Sequence, residues 1–133
     1  MSITNTFENL VLTWLLTANA ATRPAAWFLG LSSANPDETG SGNVPPTDPA
    51  YARKPVTFVV TGNVAANTGV IEFNEATVNQ GVLTHATVWD AVAGGNLISY
   101  GLLRDNLGNA APVTVNIGQI LRVPIGAFTI SAD

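Results

Sequence analysis

The chain has 133 residues and a mass of 13.8 kDa; it is 47% hydrophobic, only 11% charged, and carries a net charge of −4. The absence of cysteine and the single histidine exclude a disulfide scaffold, a thiolate or multi-histidine metal site and a cysteine nucleophile, and five basic residues leave nucleic-acid binding without its electrostatic footprint. One domain of this mass exposes about 6,600 Å² and buries about two-thirds of its unfolded surface, so it can build a core without staples.

From the N-terminus, residues 1–24 read as an amphipathic helical segment. Ile3, Phe7, Leu10, Val11, Trp14, Leu15 and Ala18 recur at helical spacing and form one broad stripe, expected to face the chain's own sheets. Asn5 and Glu8 have capping-box spacing, and Arg23-Pro24 ends the segment. Ala18-Asn19-Ala20 imitates a signal cleavage site, but no basic residue precedes the apolar run and Glu8 stands in its place. The run is also shorter than the ~20 residues of a membrane span. Leu12 and Leu16 fall on the opposite face, one turn apart. Either residues 20–50 of the same chain cover them, or they meet another subunit.

Residues 26–31 form a short apolar run with the character of a buried strand. Residues 32–50 then make a long loop containing Pro36, Pro45, Pro46 and Pro49. Loops of this length inside a compact domain usually serve a function, and prolines lower the entropy lost on ordering, so the loop reads as a contact element. Its Asp37, Glu38 and Asp48 match no calcium-loop spacing and are expected to be solvated.

From Tyr51 onward the chain reads as short strands. Thr, Val and Ile together supply 36 residues, a β-favouring composition. Segments 55–60, 70–73, 83–90, 97–104, 112–117, 119–125 and 127–131 are expected as strands. Ile71 and Phe73 point inward, as do Val113, Val115 and Ile117, and Gly94-Gly95 closes a hairpin between 90 and 96. The spacing predicts an antiparallel β-sandwich, jelly-roll-like, with one N-terminal amphipathic helix, all within a single domain spanning 1–133.

Chemistry-bearing residues are sparse. His85 lies mid-strand between threonines and reads as a hydrogen-bonded structural residue; nucleophilic work would need a serine and a carboxylate beside it, for which Ser99 and Asp90 could be spatial neighbours. Glu72 and Glu75 flank a turn rather than facing one cleft, as a glycosidase pair would. Nucleotide-binding and nucleophile-elbow motifs are absent. Trp27, Trp89, Tyr51 and Tyr100 are expected in the core rather than on a sugar platform. No catalytic residue, metal ligand or cofactor site is assigned.

Four segments carry a resemblance: Tyr51-Ala52-Arg53-Lys54-Pro55, Thr84 to Asp90, Gly94 to Gly101, and Ile125 to Ile130, preceded by Asn5-Thr6-Phe7-Glu8 and Asn35-Pro36. In this order they resemble a family of small tailed-bacteriophage virion proteins, labelled tail-fibre or minor structural proteins. The resemblance implies a non-enzymatic structural role in the virion, assembled in the host bacterial cytoplasm. A capsid decoration (cement) protein binding the major capsid protein is the first expectation, because 133 residues without repeats cannot alone supply a long shaft. The alternative is a component of a tail or head fibre; outside phages, it is a carbohydrate-binding β-sandwich. Expected partners are the major capsid protein or other virion proteins and further copies of the chain, as a dimer or trimer, with neither nucleic acid nor membrane. The expected contact residues are Leu12, Leu16, Pro36, Pro45, Pro46 and Pro49.

Overall fold

The computed structural model describes residues 1–132; Asp133, the last residue of the expected sandwich segment, lies outside the described residues. It is mainly β and antiparallel, with one helix near the N-terminus. The central sheet has five strands in the order β1 (Ser2–Ile3), β9 (Leu97–Leu102), β8 (His85–Trp89), β2 (Phe28–Ser32), β3 (Lys54–Pro55). Three smaller sheets complete the domain. One joins β4 (Phe58–Thr61), β5 (Val64–Asn67) and β12 (Thr129–Ser131); the others pair β6 (Ile71–Glu72) with β11 (Arg122–Val123) and β7 (Gly81–Leu83) with β10 (Val113–Val115). These pairings are compatible with a jelly roll without defining one.

Two stretches of chain pass from the central sheet to a smaller one. In the first, β3 pairs with β2, the Val56 N–H donates to the Trp27 carbonyl, and the chain then continues as β4 beside β5. In the second, β7 pairs with β10, Thr84 bonds both Ser32 and Leu103 through its backbone, and β8 enters between β2 and β9. Each expected strand therefore resolves into two, because a strand that turns a corner must change partners.

The core forms where these sheets meet. Leu29, Leu31, Ala86 and Val88 project from β2 and β8, Ile71, Leu83 and Val115 from the smaller sheets, and Phe73 and Phe128 from residues adjoining β6 and β12. The inward alternation expected of Ile71, Phe73 and Val115 holds. Ile117 departs from it: the chain turns at Gly118 (φ +83°), and Ile117 is left exposed.

Side chains alternate along a strand, so Gly30, Ser32, Thr87 and Trp89 occupy the other face of β2 and β8. The loop of residues 33–50 covers part of that face. At Gly40 it runs so close that a Cβ there would lie 3.2 Å from the Trp89 ring and 3.4 Å from Leu97. Gly30 leaves room on the same face: a Cβ would come within 2.7 Å of Thr87 Oγ1 and 3.1 Å of the Tyr51 hydroxyl.

Two buried side chains tie distant segments together. Asn67 donates from Nδ2 to the carbonyls of Gly69 (2.8 Å) and Pro124 (3.0 Å), and its Oδ1 accepts from the Phe128 N–H (2.9 Å). Asp48 was expected in solvent. It is instead buried, and its carboxylate accepts from the N–H and hydroxyl of Thr77, from Gln80 Nε2 (2.9 Å) and from the Ala50 N–H (3.0 Å). These hydrogen bonds, Thr77 foremost, hold its pKa below the ordinary carboxylate value.

Candidate interaction surface

The one helix among the described residues, α1 (Asn5–Leu16), is shorter than the expected 1–24 segment. Thr17 is already extended, and its hydroxyl donates back to the Thr13 carbonyl (2.6 Å). The sequence from Ala18 to Thr22 offers no further apolar stripe to support another turn.

The helix is fastened only at its beginning. Thr4, not Asn5, is the N-cap, and its hydroxyl does not cap the helix but donates to the Leu97 carbonyl (2.8 Å). The Thr4 N–H donates to Ile98, and β1 pairs with β9 through Ser2 opposite Tyr100 and Ile3 opposite Ser99. Glu38, from the covering loop, supplies the missing helix partner. Its Oε2 accepts from the Asn5 N–H (3.0 Å) and its Oε1 from the Tyr100 hydroxyl (2.8 Å). A carboxylate at this position also complements the positive end of the helix dipole.

Beyond the first turn the helix leaves the domain. Phe7 is its only buried residue, whereas Leu12 (54% exposed), Trp14 (66%), Leu15 (62%) and Leu16 (72%) face outward. This corrects the expectation that the Phe7–Trp14 stripe lies on the chain's own sheets. It also removes the alternative that residues 20–50 cover Leu12 and Leu16, which are exposed; the loop within that segment approaches Trp89 and Leu97 at Gly40 instead.

The loop carries the other four expected contact residues. Pro36 is among the fully buried side chains, so it fixes the loop to its own domain and presents nothing to a neighbour. Pro45 and Pro49 are exposed and Pro46 is half-buried. The Asp37 turn ahead of them is internally bonded: its carboxylate accepts from the N–H and hydroxyl of Thr39 (2.8 and 2.7 Å) and from the Ser41 hydroxyl (2.9 Å). These bonds lower its pKa to about 2.

Catalytic candidates do not converge. His85 Nδ1 shares a hydrogen bond with the Thr84 hydroxyl (2.7 Å), and partial burial lowers its pKa. Ser99 lies three register steps away, opposite Val88, and donates to the Ser2 carbonyl (2.7 Å). Asp90 is bonded to Asn96 across the hairpin. Glu72 pairs with Arg122, away from any second carboxylate role, and Glu75 is exposed. Among the described residues no group of three or more His, Cys, Asp or Glu is arranged to hold a metal ion. No described helix is long and apolar enough to cross a membrane.

The four strand and loop aromatics are also engaged. Tyr51 stacks on Phe73 (6.1 Å between centroids, 7° between planes), and its hydroxyl accepts from the Leu31 N–H (2.9 Å). Trp89 is buried, bonded to Thr87 and covered by the Arg53 guanidinium 3.9 Å above its ring. Trp27 is packed against the core, and Tyr100 is held by Glu38. They form no open sugar platform. Trp14 is the exposed large aromatic.

The sequence locates the helix and offers the exposure of Leu12 and Leu16 as one of two readings, but it does not show the exposure of Val11, Trp14 and Leu15 or the mount of the helix. Glu38 and Tyr100 carry no local signal, because their partners lie 33 and 62 residues away. Val59 and Val60, on β4, an edge strand of its sheet, are also exposed. What the geometry offers is a set of antiparallel sheets with a projecting apolar helix. A family model described as Podophage GP4 fiber I protein gp80 matches residues 2–131. No curated protein matches the chain.

Proposed function

The chain belongs to the Podophage GP4 fiber I protein gp80 family of tailed-phage virion proteins, and on that premise we propose that it is a non-enzymatic structural component of a virion fibre, held to its neighbours through its N-terminal helix. The family match marks it as a structural virion protein. The observation that carries the attachment reading is the helix itself, docked by one turn and apolar beyond it. Leu12 and Leu16 belong to this contact surface, and Pro45, Pro46 and Pro49 form a second, smaller one on the loop. The family description favours a fibre over a capsid decoration protein bound to the major capsid protein. The carbohydrate-binding reading loses its support, because Trp27, Trp89, Tyr51 and Tyr100 are all engaged within the domain.

Imaging intact particles with the chain labelled at an exposed turn tests the assignment. The label is expected on appendages. A label repeating over the capsid lattice would assign the decoration role instead.

A further inference from the structure

We propose that β4 is a docking edge for an extended, uncharged arm of a different protein, which adds to the three-stranded sheet as a further strand beside Phe58–Thr61. The proposal goes beyond the helix surface above and does not rest on it.

The parity of the ladder carries the argument. Directly opposite residues of an antiparallel pair alternate between bonded and unbonded positions. The Thr68 N–H donates to the Thr57 carbonyl (2.9 Å), and the register runs on through Val59 opposite Ala66 to Thr61 opposite Val64. Thr57, Val59 and Thr61 therefore turn their backbone groups toward β5, and Phe58 and Val60 turn theirs outward. β4 is the last strand of its sheet, and among the described residues no loop or side chain bonds the N–H or C=O groups of Phe58 and Val60. Donors and acceptors repeating at two-residue spacing are matched by the backbone of another strand.

The neighbouring edge shows how this fold protects an edge that stays unpaired. Residues 54–61 run along the open edge of two sheets, first as β3 of the central sheet and then as β4. On β3 the Val56 N–H is bonded to Trp27, which leaves Pro55 at the outward position, with no N–H to offer, next to the charged Lys54. Proline and lysine are common means of blunting an edge. β4 has neither: no charged residue and no further proline lies between Pro55 and Glu72. The strand is also bare on both faces. Phe58 anchors it against Phe128 (6.0 Å between ring centroids), but Val59 and Val60, on opposite faces, are 53% and 69% exposed. An added strand with apolar side chains on both faces would cover them.

The length of the edge favours a foreign arm over a second copy of the chain. The four residues of β4 span about 13 Å. Two whole domains joined along that edge would bury far less than the ~800 Å² per partner of a stable interface. An extended arm brings no domain of its own to the contact and takes its affinity from main-chain bonds.

The probe is a peptide alternating valine with threonine between terminal lysines, and its control is N-methylated along one backbone edge. Added to the purified full chain, the peptide is expected to slow amide exchange at Phe58 and Val60 and to leave Leu107, on an exposed turn, unchanged. The control is expected to bind about tenfold more weakly, the loss of one ladder hydrogen bond. Val60→Pro removes only an outward N–H, so it is expected to keep the thermal midpoint and to lose about tenfold in peptide affinity; if that variant fails to fold, the methylated control decides. Val60→Cys is expected to react with a maleimide in the purified chain and to be shielded in intact particles. Unchanged exchange at Phe58 and Val60 in millimolar peptide, equal affinity for the control, or a thiol as reactive in particles as in the free chain overturns the proposal. So does protection of Val60 that grows with chain concentration alone, which would give the edge to a second copy. None of these outcomes bears on where the particle label sits, so the docking edge and the fibre assignment fail separately.

Discussion

The Tyr100 hydroxyl donates a 2.8 Å hydrogen bond to the Glu38 carboxylate, whose second oxygen holds the first free N–H of the helix at Asn5. One side chain thus couples the covering loop, the central sheet and the projecting helix. Glu38→Ala is expected to loosen the helix while leaving the sheets intact. Amide exchange should accelerate at Asn5–Glu8 and remain slow at Leu29–Leu31. Uniform acceleration across both regions would show that Glu38 supports the whole domain rather than the mount.

Tyr100 also sets an alkaline limit. Its bond to Glu38 raises the phenol pKa, because ionisation would place two negative groups together. The bond is therefore present below the ordinary tyrosine pKa near 10 and lost as pH rises through the elevated folded value. The helix is expected to loosen above about pH 10, read as amide or proteolytic sensitivity of residues 5–8, and Tyr100→Phe should abolish that pH dependence.

At the acid end the sign reverses. The Asp37 pKa of about 2 and the depressed Asp48 pKa mean that both carboxylates stabilise the fold fully above their ordinary value near 3.8. This stabilisation is lost as pH falls through the folded values. The difference in urea midpoint between the native chain and Asp48→Asn is expected to be large at pH 7 and to shrink as the pH approaches 2. A difference that stays constant with pH would dissociate Asp48 ionisation from stability.

Asn67 is a buried polar position with three hydrogen bonds to backbone. Asn67→Leu leaves the Pro124 and Gly69 carbonyls and the Phe128 N–H without their partner, so a loss of about 2–4 kcal/mol is expected from denaturant unfolding. Asn67→Asp, which keeps the acceptor but not the donors, should be intermediate or worse. Arg53→Lys should cost less, about 1–2 kcal/mol: it loses the fork that bonds Ala91 (2.9 Å) and Gly94 (2.7 Å) while covering Trp89.

Removing residues 37–47 is expected to destabilise the domain, since the loop covers Trp89 and Leu97 and carries Glu38. Tryptophan emission should shift to the red. His85→Ala, by contrast, should shift stability by about 1 kcal/mol or less, because it removes one part-exposed hydrogen bond to a neighbouring threonine.

Periodicity made the strands legible where one face meets the core. Ile71 and Phe73, Val115, and the hairpin at Gly94-Gly95, with φ of +62° and +74°, follow directly from alternation and turn chemistry. It did not reveal β1 or β5. The first has two residues, and the second, Val64-Ala65-Ala66-Asn67, is too small and polar to show a pattern. The helix shows a different limit. Spacing reveals that an apolar surface exists, not whose atoms cover it, so Val11, Trp14 and Leu15 were assigned to the wrong partner. Buried polar groups are the least legible, because the partners of Asp48 and Asn67 lie up to 32 and 61 residues away along the chain.

The pairing of Ser2 with Tyr100 has a consequence for timing. A growing chain emits the helix first, yet the strand that roots it arrives almost a hundred residues later, at synthesis rates of about 5–20 residues per second. Until then Thr4 and Asn5 have nothing to hold, and a helix this short melts as readily as it forms. The exposed apolar segment is thus unformed on the nascent chain, and it gains its shape only when the strand that roots it has been made. Topology acts here as a delay, so that what is offered for assembly is a finished part.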